Sequence, residues 1–121
     1  MRRKVLPARF YRTATGAAPV RKWLKALARE DKRIVGTDIA TVEFGWPVGM
    51  PTCRPLASRR GLLEVRSSLT QNRIARVLFE IHQGQMALLH GFIKKTQQTP
   101  ENDLDLAVKR QKEVEGGKAA K

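Results

Sequence analysis

Residues 62–93 read L-L-E-V-R-S-S-L-T-Q-N-R-I-A-R-V-L-F-E-I-H-Q-G-Q-M-A-L-L-H-G-F-I, and the way this stretch divides decides the fold. Three runs, 62–69, 73–81 and 85–93, are largely apolar or β-branched, and the pieces between them, around Thr70-Gln71-Asn72 and His82-Gln83-Gly84, are short and turn-like. Three strands in series with short turns predict an antiparallel meander. Side chains alternate along a strand, so Leu63 and Val65 point one way and Glu64 and Arg66 the other. On the second run Ala75, Val77, Phe79 and Ile81 oppose Ile74, Arg76, Leu78 and Glu80. On the third, Ala87, Leu89, Gly91 and Ile93 oppose Leu88, His90, Phe92 and Lys94. With helices covering the apolar faces, Glu64, Arg66, Arg76, His90, Phe92 and Lys94 share an opposite, open face, with Arg73 and Lys95 at strand ends nearby.

Downstream, the third strand runs through K-K-T-Q-Q-T-P into a helix pattern. Thr99 is an N-cap residue, and Pro100 suits the first helical position. Glu101, Asp103 and Asp105 come early in this helix and Lys109, Arg110 and Lys112 late, which complements its dipole. Gly116-Gly117 ends it, leaving residues 116–121 as a disordered basic tail behind a single domain of residues 1–115. Upstream, residues 47–61 carry four prolines or glycines before Gly61 and read as a loop made basic by Arg54, Arg59 and Arg60. Val20, Trp23, Leu24 and Leu27 follow Pro19 at helical spacing, and Val35, Ile39, Val42 and Trp46 form a second apolar stripe, starting near Glu30 or Asp31. Two helices so close predict an antiparallel hairpin. A strand after Pro7 precedes them. The order β, α, α, β, β, β, α is an α+β domain with an antiparallel sheet, the helical hairpin packed on one face, and a C-terminal helix.

Composition narrows the partners. Twenty-four Lys and Arg against eleven Asp and Glu give a formal charge of +13. Residues 101–121 are neutral, so the excess lies entirely in residues 1–100 and favours a polyanion, nucleic acid before acidic protein or anionic membrane. Cys53 is the only cysteine and His82 and His90 the only histidines, which argues against a disulfide or a dedicated metal site and suits the cytoplasm. No run approaches the roughly 18 apolar residues of a membrane span, and the basic start lacks the apolar core of a signal peptide. No cofactor motif is present; the Gly116-Gly117-Lys118 run lacks phosphate-loop spacing.

The predicted open face holds what RNA cleavage by a neighbouring 2′-hydroxyl requires: a proton-transfer group and cations around the phosphate. His90 can shuttle a proton, Arg66, Arg73 and Arg76 offer forked donors, Lys94 adds charge, Phe92 offers a plane for a splayed base, and Glu64 can orient an arginine or act as a base. Each has a plainer reading. His90 can be a structural hydrogen-bonding residue, Phe92 can be core, and Arg66 can pair with Glu64 or Glu80 across strands. Arg21, Lys22 and Lys25 read as the wet face of a helix or a partner-binding surface.

The pieces P-V-R-K-W-L-K-A-L (19–27), G-L-L-E-V-R (61–66), R-I-A-R-V-L-F (73–79) and L-L-H-G-F-I-K-K-T-Q-Q-T-P (88–100) resemble the phage-derived, HigB-like branch of the RelE/ParE-superfamily toxins, over roughly residues 4–112. The resemblance implies a small basic toxin of a type II toxin–antitoxin pair. Its partners would be a cognate antitoxin, a helix-turn-helix protein, together with the ribosome and mRNA. RelE-like members cleave mRNA on the ribosome; ParE-like members inhibit DNA gyrase. The favoured expectation is a ribosome-dependent endoribonuclease, with a non-catalytic gyrase inhibitor or a basic nucleic-acid-binding module as the alternative. The catalytic candidates are Arg66, Arg76, His90 and Lys94, and the RNA-binding candidates are Arg54, Arg59, Arg60, Arg73, Phe92 and Lys95. The only tyrosine is Tyr11, far from the C-terminal position where some RelE-like nucleases carry theirs, and Leu63 stands where similar sequences often have tryptophan.

Overall fold

The computed structural model describes residues 3–95 and 98–117; the expected basic tail from residue 118 onward lies outside them. Its elements are β1 (Ala8–Phe10), α1 (Pro19–Ala26), α2 (Arg29–Gly45), β2 (Cys53–Pro55), β3 (Leu63–Ser68), β4 (Ile74–His82), β5 (Gln85–Lys94) and α3 (Glu101–Glu115). The five strands form one sheet in the order β1-β5-β4-β3-β2. The meander is β3-β4-β5, closed by turns whose central residues take left-handed backbone, Gln71 and Asn72 in the first, Gln83 and Gly84 in the second. Two consecutive left-handed residues match the twist of the strands they join. The sheet is mixed rather than wholly antiparallel, because β1 pairs parallel to β5. β2 arises within the expected loop and pairs with β3. Among the described residues, no helix is long and apolar enough to cross a membrane.

α1 and α2, separated by Leu27 and Ala28, cover one face. Val20, Val35, Ile39 and Val42 pack with Val65, Val77, Phe79, Met86 and Leu88, and Trp46 meets Phe79 edge-on with centroids 6.3 Å apart. Trp23 lies flat enough on β5 that a Cβ at Gly91 would sit 2.5 Å from its ring. Gly91 therefore sets how closely α1 approaches the sheet.

The opposite face is not open. Leu78, Ala87, Leu89 and Phe92 form a second core with Tyr11, Leu56, Leu62, Leu104 and Ala107, so α3 covers that side. The alternation reading of β5 fails at a bulge. His90 pairs with Leu78 but Leu88 pairs with Phe79, leaving Leu89 unpaired between them. The extra residue moves everything before it by one position. Leu88 thus joins the α1/α2 core, while Ala87 and Leu89 turn toward α3 beside His90 and Phe92.

Candidate functional site

Where α3 begins, it sits over the polar part of this second face. Glu64 is wholly buried and accepts hydrogen bonds from Arg54 Nε at 2.8 Å and from the Thr99 hydroxyl at 2.6 Å. Arg76, equally buried, lies with Nε 3.8 Å from Glu64 Oε1 and donates from Nη1 to Thr99 Oγ1 at 3.3 Å. Thr99 does not cap α3; Pro100 occupies the cap position and no side chain caps it. A buried carboxylate beside two guanidiniums is a stronger partner for the hydroxyl than a solvated backbone amide. Arg66 stands opposite Arg76 on the neighbouring strand and is half-buried. Burial pushes the Arg76 guanidinium below its ordinary pKa; Glu64 opposes that shift, and the Arg66 and Arg54 charges add to it.

His90 and Phe92 reach the same face two residues apart on β5. The His90 ring stacks on Phe92 at a centroid distance of 5.4 Å, and its Nε2 is 2.6 Å from Asp103 Oδ1 on α3. Phe92 itself is 7% exposed and belongs to the second core. The structure therefore brings together Arg54, Glu64, Arg66, Arg76, His90 and Phe92, and adds two residues the sequence reading left out of the site, Thr99 and Asp103. Helical spacing alone carries no signal that Asp103 would turn toward β5.

The remaining predicted residues are dispersed. Arg73 makes a two-pronged pair with Asp31 of α2, at 2.8 and 3.0 Å, on the other helical layer. That pair holds the Asp31 carboxyl below its usual range, chiefly through the hydrogen bonds from Arg73. Arg59 is taken by Glu101 at 2.6 Å and Asp105 at 3.2 Å, tying the 56–62 loop to α3. Arg60 is exposed, its carbonyl receiving Gln111 Nε2, and it borders a groove of about 550 Å³ with Ser58, Gly61, Val108 and Lys112. Lys94 and Lys95 are exposed at the end of β5.

Other reactive groups sit apart from this cluster. Cys53 is buried, and desolvation together with the Glu64 charge pushes its thiol up to about 11, which keeps it protonated and inert. Tyr11 donates to Glu113 and lies under the Arg110 guanidinium. Among the described residues, no group of three or more His, Cys, Asp or Glu side chains is placed to hold a metal. A separate cavity of about 150 Å³ lies between β1 and the β4–β5 turn, bordered by Arg9, Tyr11, Arg12, His82 and Glu115.

The arrangement offers an imidazole oriented by a carboxylate, an aromatic plane beside it, and two guanidiniums facing each other across a strand pair. Against this geometry, the model of the family described as phage derived protein Gp49-like (DUF891) matches residues 22–112. The chain belongs to that family. It is a phage-derived family of toxin-like domains, and the match runs from within α1 through most of α3, the whole of the cluster included. Comparison with curated proteins found no match.

Proposed function

We propose that this Gp49-like chain is the toxin of a type II toxin–antitoxin pair, allied to the HigB-like branch of the RelE/ParE superfamily, and that it cleaves mRNA on the ribosome in the cytoplasm. The observation that carries the reading is His90, held by Asp103 at 2.6 Å on the face that carries Arg66 and Arg76. In this reading the imidazole takes the proton of a 2′-hydroxyl, and the freed oxygen attacks the adjacent phosphorus. The P–O5′ bond then breaks, the 5′-oxygen takes a proton from water as the imidazolium returns its own to solvent, and a 2′,3′-cyclic phosphate remains. Arg66 meets the phosphate charge. Arg76 and Glu64, wholly buried, act at one remove by fixing Arg54 and the start of α3. Asp103 keeps one ring nitrogen of His90 occupied so that the other faces the substrate. Lys94 and Lys95, exposed at the end of β5, would add charge for a strand leaving the face. A cognate antitoxin, a small helix-turn-helix protein, would silence the toxin by covering this basic chain.

The sealing of Glu64 and Arg76 under α3 favours one competing reading, a ParE-like gyrase inhibitor in which the cluster is scaffold. Cleavage of mRNA on programmed ribosomes, run beside a gyrase supercoiling assay, separates the two. The nuclease reading expects cleavage by the wild type, and a loss of about a hundredfold or more in His90→Ala. Supercoiling inhibition without cleavage would replace it with the gyrase reading.

A further inference from the structure

The basic residues on the two sides of the sheet are used differently. Beneath and beside α3, Arg54, Arg59 and Arg76 are engaged by Glu64, by Glu101 and Asp105, and by Thr99. On α1 and the first turn of α2 the reverse holds. Arg21, Lys22, Lys25, Arg29 and Lys32 are exposed, and among the described residues none of their side chains has an ion-pair or hydrogen-bond partner. The carboxylates closest in sequence are already committed, Glu30 to Arg33 and Asp31 to Arg73. α1 has no acidic residue at all.

A merely solvated helix face has no need of this arrangement. Lys25 has like-charged neighbours one turn back at both Arg21 and Lys22, and Arg29 and Lys32 repeat the pattern on α2. Such pairs weaken a helix, and interspersed acids would relieve them. The inner side of α1 is meanwhile fully used, with Val20 buried and Trp23 set on Gly91. The surface also lacks what a protein partner would grip. Among the described residues, the large exposed apolar side chains are Val5, Met50 and Ile81, none of them on α1 or α2. Protein interfaces centre on buried aromatic or aliphatic anchors and are depleted in lysine, whereas nucleic-acid interfaces are polar and strongly positive. Neighbouring turns of a helix set the Cβ atoms of such residues about 5–6 Å apart, so their long side chains can reach a run of phosphates together.

We propose that the outer surface of α1 and the start of α2 docks on the phosphate backbone of double-stranded RNA, on the side of the sheet away from the Glu64–Arg76 cluster. That the ligand is a phosphate backbone follows from this surface alone; that the nucleic acid is RNA rests on the proposed action at the ribosome. The chain then has two functional sides, one that holds folded RNA through charge and one that addresses the strand to be cut.

The test measures binding of the full chain to a fluorescently labelled RNA hairpin, a DNA duplex of the same sequence and a polyglutamate peptide, across a salt series. Arg21→Gln/Lys25→Gln is compared with Lys109→Gln/Lys112→Gln, which removes the same charge from the exposed side of α3. Melting curves confirm that both variants fold. The expected result is a loss of about tenfold or more in RNA affinity for the α1 variant, with the slope of log affinity against log salt reduced by about two. The α3 variant should change affinity by less than about threefold. Equal losses in the two variants would reduce the effect to bulk charge and overturn the proposal, as would unchanged binding in the α1 variant. Tighter binding of the peptide, or of DNA over RNA, would overturn the assigned partner. Wild-type ribosomal cleavage is assayed in parallel. RNA binding that depends on α1 without any cleavage would sink the nuclease reading and leave this surface standing. Cleavage with α1-independent binding would do the opposite.

Discussion

The two faces of the sheet are both buried, yet they are built on different principles. Under α1 and α2 the central contacts are aliphatic and aromatic, from Val20 and Val35 to Phe79 and Met86, with ion pairs only at the two ends of α2, Asp31 with Arg73 and Glu43 with Lys4. Under α3 an apolar patch gives way, toward the start of the helix, to a charged seam of Arg54, Glu64, Arg76 and Thr99, with His90 and Asp103 alongside. Apolar burial is non-directional and forgiving. A buried ion network holds only while every member is present. The first face resists substitution by volume, the second by charge.

That contrast is open to attack, most severely at the seam. Removing one partner of a buried charge pair leaves the other uncompensated, so Arg76→Ala and Glu64→Ala should each destabilise the domain by about 3–5 kcal/mol in denaturant unfolding. An open face would have limited Arg76→Ala to less than about 2 kcal/mol; burial of this side chain changes that expectation. The seam is a network only if the double variant loses markedly less than the sum of the two single losses. On the apolar face, Phe79→Ala should cost about 3–5 kcal/mol through cavity formation alone, and here Glu64→Ala should add to it independently, since the cores are separate.

Gly91→Ala is a milder assault on the same apolar face. Its new methyl group would collide with the Trp23 ring, and overpacking of this kind costs about 1–3 kcal/mol. Trp23→Leu in the same chain should recover part of that loss, measured as a rise in melting temperature over the single variant. No recovery would mean the collision is relieved by movement of α1 rather than by Trp23.

A third test uses pH. Glu80 is buried on the α3 side, and desolvation followed by the hydrogen bond with Glu115 pushes its carboxyl up to about 7. A folded value above the unfolded one means the native state holds a proton that the unfolded chain has released. The resulting stability is fully present below the ordinary glutamate range and is lost as pH rises through about 7. Glu80→Gln keeps the hydrogen-bonding shape without the titration. The difference in stability between wild type and this variant should therefore shift in favour of the variant between pH 5 and pH 8. A constant difference across that range would remove Glu80 from the account. Smallest of all, Arg21→Gln/Lys25→Gln should leave stability within about 0.5 kcal/mol, since exposed positions away from special features seldom matter more.

The same contrast explains what was legible in the sequence. Apart from β2, element types and order, and the parity of β3 and β4, follow from alternation and helical spacing because one of their faces is cleanly apolar. β5 misled at residues 86–89, where M-A-L-L is apolar at every position, so sliding the pattern by one leaves both faces hydrophobic and the bulge leaves no trace. β2 has three residues and β1 pairs in parallel with a strand more than seventy residues away; neither local length nor pattern announces such partners. In the site, residue type was readable and pairing was not. Arg73 and Arg59 have the same chemistry as Arg66, and only the folded chain directs the first to Asp31 and the second to α3.

The aromatic residues divide along the same line, which gives each half of the molecule its own optical reporter. Both tryptophans, Trp23 and Trp46, pack in the α1/α2 core, whereas the sole tyrosine, Tyr11, packs under α3. Indole emission excited near the red edge thus follows the helical layer alone, while tyrosine absorbance in the near ultraviolet follows the other layer. Unfolding curves recorded with the two signals should superimpose if the sheet melts as one cooperative unit, and separate if α3 comes away first.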